Sequence, residues 1–403
     1  MKNVFLIGNG FDLHHKLPTK YFDFLCVAKY LTTSGIFYPL TIGKVFSECS
    51  ENPNLKKCYD EHNDIYDSIE IDSSKVQELT VLLRYNKWFW YFIETLNVDL
   101  GWIDFEKEIS IVIDNLDKII SSEDNEIYLA STDIIPAFIL NHFKYFIDID
   151  DKYEICEGVT YTIKTEYLKE YIHTSKIYVA NKKKIFEQLY DDLIKLRNAL
   201  NIYLECFVEN TMNLILKNSI DRKITLIDYA DSILSFNYTS TLESFYMKEN
   251  IHHIHGTVQS KNIVLGVNPS ESDDSGTDNT SLIKFKKYYQ REFFGTNNDY
   301  INWYRETIAE NNDYRVITIG HSLDITDKDI LSDVFLNAKE IYLSYYNDDC
   351  KSDYFENMVK MFGNGVLDKF FKEKKLQFVP LSKIDSLSET FMPEILKYSV
   401  ITF

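Results

Sequence analysis

Paired cysteines are missing from this sequence. None of the six cysteines (Cys26, Cys49, Cys58, Cys156, Cys206 and Cys350) forms a C-x-x-C pair. The spacing therefore offers neither a zinc ribbon nor a dense disulfide framework, and reduced thiols are expected. Long apolar runs are missing too. The longest, Trp88 to Ile93, is far short of the roughly 20 residues that cross a bilayer. The first residues lack the basic, apolar and small-residue order of a secretory signal. These absences predict a cytoplasmic protein with no membrane partner.

Positive charge is scarce. Lys and Arg number 43 against 62 Asp and Glu, for a net charge of −19. Neutralising a run of phosphates takes clustered cations. The clusters present are short: Lys182–Lys184, Lys286–Lys287 with Arg291, and Lys372–Lys375 interrupted by Glu373. They read as solvated helix faces, so nucleic acid is disfavoured as a partner. No H-E-x-x-H motif or neighbouring cysteine accompanies His252, His253 and His255, and no metal site is expected.

What the chain does have is ample apolar material, 45% hydrophobic and 15% aromatic over 403 residues. That length exceeds what one hydrophobic core usually serves. Two lobes are expected, or one α/β core carrying a large insertion.

The first twenty residues set the pattern. The apolar run Val4-Phe5-Leu6-Ile7 ends abruptly in Gly8-Asn9-Gly10-Phe11-Asp12, which reads as a buried parallel strand feeding a tight turn. Thr19 can cap a helix bearing Phe22, Leu25, Cys26 and Tyr30. Glycines in such a turn let backbone approach a phosphate or ribose. Yet the dinucleotide fingerprint wants a third glycine where Leu13 stands. A nucleotide site and a plain tight turn both remain open on this stretch.

Residues 47–74 are rich in Asn, Asp, Glu and Ser and read as a loop-rich surface. From about Lys75 to Leu216 the chain reads as helical, apart from a short hairpin around Gly158. Phe186, Leu193, Leu200 and Phe207 repeat every seven residues, with Leu189, Leu196 and Tyr203 between them. This is a long helix with a narrow seam, fit to pack within its own lobe or against a second subunit.

Beyond Asp221 short strands return, at Ser232–Phe236, Ile251–Ile254, Ile263–Leu265, Val316–Ile319, Ile341–Leu343 and Leu376–Val379, with a helix over Lys284–Glu310. Several end in Gly, Asn, His or Ser, where an open parallel sheet binds its ligand. The expected architecture is an α/β, Rossmann-like, mostly parallel sheet from residues 1–74 and 220–403. A large helical insertion, residues 75–219, would lie over the strand ends as a lid.

Three strand ends carry candidate chemistry. The Asn237 carboxamide can orient a water or a ribose hydroxyl, or cap the next helix. His255, before Gly256, suits a general base or a satisfied structural histidine. Gly320-His321-Ser322-Leu323 is a turn whose glycine and serine can hold a ribose or phosphate, or in which Ser322 caps a helix. Asp104 and Glu106 sit two apart and do not share a helix face, so they do not make a catalytic carboxylate pair by themselves.

Taken together these stretches resemble the AbiH family of bacterial abortive-infection proteins. The resemblance rests on Ile7-Gly8-Asn9-Gly10-Phe11-Asp12-Leu13 with Leu17-Pro18-Thr19, and on Trp102-Ile103-Asp104-Phe105-Glu106. It continues through Phe236-Asn237-Tyr238-Thr239, Ile254-His255-Gly256, Leu265-Gly266 and Ile319-Gly320-His321-Ser322-Leu323. It implies phage defence by host dormancy or death, with a phage-derived trigger.

The same pieces are similar to a divergent sirtuin-like NAD-binding core, without the four zinc-binding cysteines of a deacetylase. That likeness implies NAD as substrate or ligand, hydrolysed to nicotinamide and ADP-ribose, or bound without cleavage by a sensor module. It implies Asn237 and His255 as catalytic residues, and Gly8, Asn9, Gly10, Phe11, Asp12, Gly256, Gly320 and Ser322 around the cofactor. Asp12 departs from the sirtuin pattern by placing an anion near the phosphate. It would instead contact a hydroxyl or cap the turn.

Overall fold

A computed structural model gives the fold of residues 1–391, apart from 36–37, 96–103, 122, 156–157, 174, 268–279 and 310–312. Trp102, Ile103, Cys156 and Glu310, the last residue of the expected helix Lys284–Glu310, lie outside the described residues. Eleven strands follow along the described chain: β1 (Lys2–Ile7), β2 (Glu126–Ala130), β3 (Ile147–Ile155), β4 (Gly158–Ile163), β5 (Leu168–His173), β6 (Ser175–Ala180), β7 (Ser232–Ser235), β8 (Ile251–His253), β9 (Tyr314–Ile319), β10 (Glu340–Tyr345) and β11 (Leu376–Pro380).

Six of them form one parallel sheet in the order β11-β10-β9-β1-β7-β8. Counted along the chain this is 3-2-1-4-5-6 read from the β8 edge, the order of the doubly wound dinucleotide fold. β1 lies at the centre, in register with β7 (Leu6 opposite Leu234) and with β9 (Leu6 opposite Thr318). Its run is unbroken because both of its faces are buried. Val4 and Leu6 face one core with Val316, Leu343 and helices Lys328–Asn337 and Asp348–Lys372. Phe5 and Ile7 face the other with Ile233, Ile317, Leu242 and Ile384. The α/β, Rossmann-like expectation holds.

The large helical lobe has its own core. The helix Lys182–Tyr203 runs on through Leu204–Glu209 into Asn210–Lys217. All seven seam residues from Phe186 to Phe207 are buried inside this chain, so the seam is spent within the lobe. The same core takes in Leu55, Tyr66 and the helices Tyr21–Thr33, Ile42–Glu48 and Pro53–Ser68. The stretch read as surface loop over 47–74 is thus largely helical. Its helix Pro53–Ser68, capped by Asn52, buries only Leu55, Cys58 and Tyr66, which is too thin a stripe to show through its polar composition. The lobe also holds two small antiparallel sheets, β2-β4-β3 and β5-β6, and β3–β4 supplies the hairpin expected near Gly158. The Ile263–Leu265 segment is not a strand. Its apolar residues are buried, and the Gln290 side chain satisfies both backbone groups of Leu265, at 2.9 and 3.0 Å.

Candidate functional site

At the switch point of the sheet, between the carboxyl ends of β1 and β9, the two turns lock into each other. Gly10 N–H donates to Gly320 O at 2.8 Å, and Gly8 N–H to Ile319 O at 3.0 Å. Gly320 has φ +69°, and a Cβ there would stand 2.2 Å from Phe11 N. A Cβ on Gly8 would stand 2.5 Å from the His321 Cα. The Cβ space these glycines leave open is filled by the opposite turn rather than by a cradle for a ligand. Gly256 likewise needs φ +78° and backs onto Asn262 O, 2.3 Å from its missing Cβ.

The other expected residues fall out as follows. Phe11 is fully buried, edge-on to His15. Asn9 and Ser322 are exposed, with Asn9 Oδ1 accepting from the Thr19 hydroxyl at 2.6 Å. Helix Tyr21–Thr33 starts two residues after Thr19, with Lys20 and not Thr19 at its N-cap, where Asp23 accepts from Lys20 N–H. Asp12 is buried and accepts from the hydroxyls of Thr239 at 2.6 Å and Thr241 at 2.8 Å. Burial pushes its carboxyl up to about 6, against the hydrogen bonds from these threonines and Asn237. Asp12 therefore braces the turn after β7.

Asn237 follows β7 by two residues. Its backbone carbonyl binds His253 Nδ1 at 2.9 Å, while its side-chain Oδ1 is buried without a partner. The other nitrogen of His253 lies 2.8 Å from Glu243. Burial alone would lower His253, but Glu243 raises it overall.

The chemically dense part of the molecule lies beside these turns. Lys287, only 1% exposed, places Nζ 2.8 Å from Glu106 and 2.7 Å from Asp327. Asp327 also receives His255 Nε2 at 3.3 Å and His321 Nε2 at 3.6 Å. Leu323 N–H donates to His321 Nδ1 at 2.9 Å, which leaves the neutral ring's proton on Nε2, facing Asp327. His255 Nε2 is within ion-pair range of the carboxylate but not aligned for a hydrogen bond. Phe236 wedges between both imidazoles, edge to face, at 5.5 and 4.1 Å.

Each partner comes from a different element. The carboxylate of Asp104 caps helix Phe105–Ile119 by accepting from Glu106 and Lys107 N–H, and so sets Glu106 in the first turn. Lys287 opens helix Lys287–Phe293, His255 follows β8, and Asp327 precedes helix Lys328–Asn337. Burial alone would raise Asp327, but Lys287 and the imidazoles hold it well below the usual carboxylate range. Burial raises Glu106, with Lys287 pulling against it. Lys287 would be lowered by burial, but its two carboxylates raise it above the ordinary lysine value. His255 is lowered by burial and by the Lys287 ammonium, with Asp327 opposing, so its ring is neutral near pH 7.

Two sequence expectations need correcting here. Lys286, Lys287 and Arg291 are not a solvated face, being 5%, 1% and 3% exposed. Arg291 pairs through Nη2 with Asp329, while its buried Nε and Nη1 have no partner among the described residues. The expected helix Lys284–Glu310 is broken into Lys287–Phe293 and Thr296–Tyr304, with Gly295 at φ +81° between them. Glu106, Lys287 and Asp327 do not stand out as site residues in the sequence. The Asp104–Glu106 stretch among the family-like motifs was the available signal for Glu106.

Among the described residues, no helix is long and apolar enough to cross a membrane, and no group of three or more His, Cys, Asp or Glu side chains is placed to hold a metal ion. Compared with curated proteins and with solved structures, the chain matches none. The family model described as "Bacteriophage abortive infection AbiH" matches residues 4–346, which takes in most of β1, the helical lobe and every residue of the Glu106–Lys287–Asp327 cluster; the chain belongs to that family.

Proposed function

We propose that this protein is an antiphage effector that hydrolyses NAD at the carboxyl ends of β7, β8 and β9. The observation that carries the assignment is the pair of His255 and Asp327, a neutral imidazole with Nε2 turned to a buried, ionised carboxylate. Catalytic hydrogen bonds are often poorly aligned in the free protein and tighten when substrate binds. With the proton on Nε2, Nδ1 is the basic nitrogen.

In the proposed step, Nδ1 takes a proton from the attacking water. The water oxygen bonds to C1′ of the ribose. The C1′–N bond breaks, and nicotinamide leaves with the electron pair. ADP-ribose and one proton are the other products. The unpartnered Asn237 Oδ1 would accept from a ribose hydroxyl or the water. The pyrophosphate would fall to the Arg291 guanidinium, whose Nε and Nη1 remain to donate to anionic oxygens. The glycine turns set the spacing of the strand ends. Glu106 ties the helical lobe to the same cluster, so a phage-derived trigger received by that lobe has a route to His255.

A second reading, binding of NAD or a related nucleotide without cleavage, draws on the burial of Asn237 and His255, at 6% and 4% exposed. The assay is incubation with NAD and chromatography for nicotinamide, in phage-challenged cells and with purified protein. His255→Ala and Asn237→Ala should each slow release by roughly 10²–10⁴. Wild-type-like release from both variants would remove the assignment. Binding with no product in either setting would favour the second reading.

A further inference from the structure

The sheet has a second polar recess, at the opposite ends of the same strands. A cleft of about 340 Å³ opens where β1, β7 and β8 begin, closed on its far side by helix Thr296–Tyr304 and the turn after it. Its size is at the small end of ligand pockets. Three exposed carboxylates, Asp231, Asp299 and Glu306, line it against one cation, Lys2. The Lys2 ammonium is already turned to the backbone carbonyl of Glu306, at 3.1 Å.

The wall is aromatic and fixed. Trp303 Nε1 donates to Ser232 Oγ at 2.7 Å, and Ser232 Oγ lies 3.3 Å from the Thr307 hydroxyl. Trp303 stacks on Tyr300, with ring centres 6.0 Å apart, and on His252 at 6.4 Å. His252 lines the cleft, is 8% exposed, and has no hydrogen-bond partner at Nε2 among the described residues. An unpaired buried imidazole nitrogen is costly, and burial lowers this ring to about 4, so it adds no positive charge at neutral pH.

We propose that this cleft binds a small organic cation, an aliphatic amine or guanidine without acidic groups, between the carboxylates and the Trp303–His252 wall. Net negative lining selects the charge, since an anion would meet three carboxylates. The aromatic wall favours an organic cation over a hydrated metal ion, because ring faces attract cations and apolar stems pack on them. The small volume excludes a polypeptide segment. The proposal is independent of NAD cleavage, as the cleft and the His255 cluster share no residue.

The test is isothermal titration calorimetry of the full chain with agmatine, beside 1,4-butanediol as a neutral probe of similar length. Saturable agmatine binding, weakened by salt and absent for the diol, is expected. The exposed pair Asp299→Asn and Glu306→Gln together should weaken it by about tenfold or more, a change of about 1.4 kcal/mol. His252→Phe keeps an aromatic ring and should weaken it less. Thermal melts of the variants check that the fold is retained. Absence of saturable agmatine binding at millimolar concentration, or binding unchanged in the double variant, would overturn the proposal.

Discussion

The turn pair that joins β1 to β9 and the buried cluster around Lys287 lie near the same strand ends, yet they are built in opposite ways. The turns are backbone against backbone, with Gly8 and Gly10 meeting Gly320 and His321. The cluster is side chain against side chain, gathering residues 106, 255, 287, 321 and 327. A glycine-rich strand end is usually read as room left for a ligand. Here that room is taken by the neighbouring turn, and the titratable chemistry sits to one side. The glycines hold the strand ends at a fixed spacing, and the charges fill that frame.

The difference has measurable consequences, the largest at Lys287. Lys287→Met would leave two buried carboxylates with their shared cation gone. Breaking such a buried network costs roughly 3–5 kcal/mol, read as a fall in the urea midpoint at constant slope. Adding Glu106→Gln removes one stranded charge and should restore part of the loss. If the double variant is no more stable than the single, the two groups do not share the ammonium.

The turn side comes next. Gly320→Ala combines a left-handed backbone with a Cβ 2.2 Å from Phe11 N, and should cost roughly 2–4 kcal/mol. Gly295 is also left-handed, at φ +81°, but has nothing within 4 Å of its would-be Cβ. Gly295→Ala should cost only about 1 kcal/mol. Equal losses would mean that backbone conformation, and not the interlock, explains Gly320.

The effect at Asp12 differs in kind, because it depends on pH. Its carboxyl moves from 3.8 when unfolded to about 6 when folded, so the folded state favours the protonated form. That stabilisation is fully present below pH 3.8 and is lost as pH rises through about 6. Asp23, also raised to about 6 by burial, acts in the same direction. Asp12→Asn should therefore flatten, without abolishing, the decline in stability across this window, by about 3 kcal/mol. An unchanged pH profile would contradict the burial of an ionisable Asp12.

The sequence disclosed the sheet better than the site. Strands buried on both faces are continuous apolar runs, so β1, β7 and β9 stand out, and the polar residues that end them mark the right edge of the sheet. Asn237 is legible for that reason, whereas His255, after the short edge strand β8, stands out only by preceding Gly256. Lys287 was not, because a lysine beside Lys286 in an aromatic-rich helix has the composition of a solvated face. Only tertiary packing brings Glu106 and Asp327 to its ammonium. The glycine motif was legible as a turn but not as an interlock, since the backbone that fills its Cβ space comes from the far turn at Gly320. The helix Pro53–Ser68 is hidden in the sequence by its narrow buried stripe, and Ile263–Leu265 reads like a strand because buried irregular chain is as apolar as one.

The central claim is that Asp327 holds His255 as a neutral base with its proton on Nε2. Nitrogen-15 NMR of the histidine-labelled protein reads this directly. The account predicts one neutral tautomer for His255 at pH 7, protonated at Nε2 and free at Nδ1, with that preference lost in Asp327→Asn. A charged imidazolium at pH 7, or the same tautomer in wild type and Asp327→Asn, would contradict it.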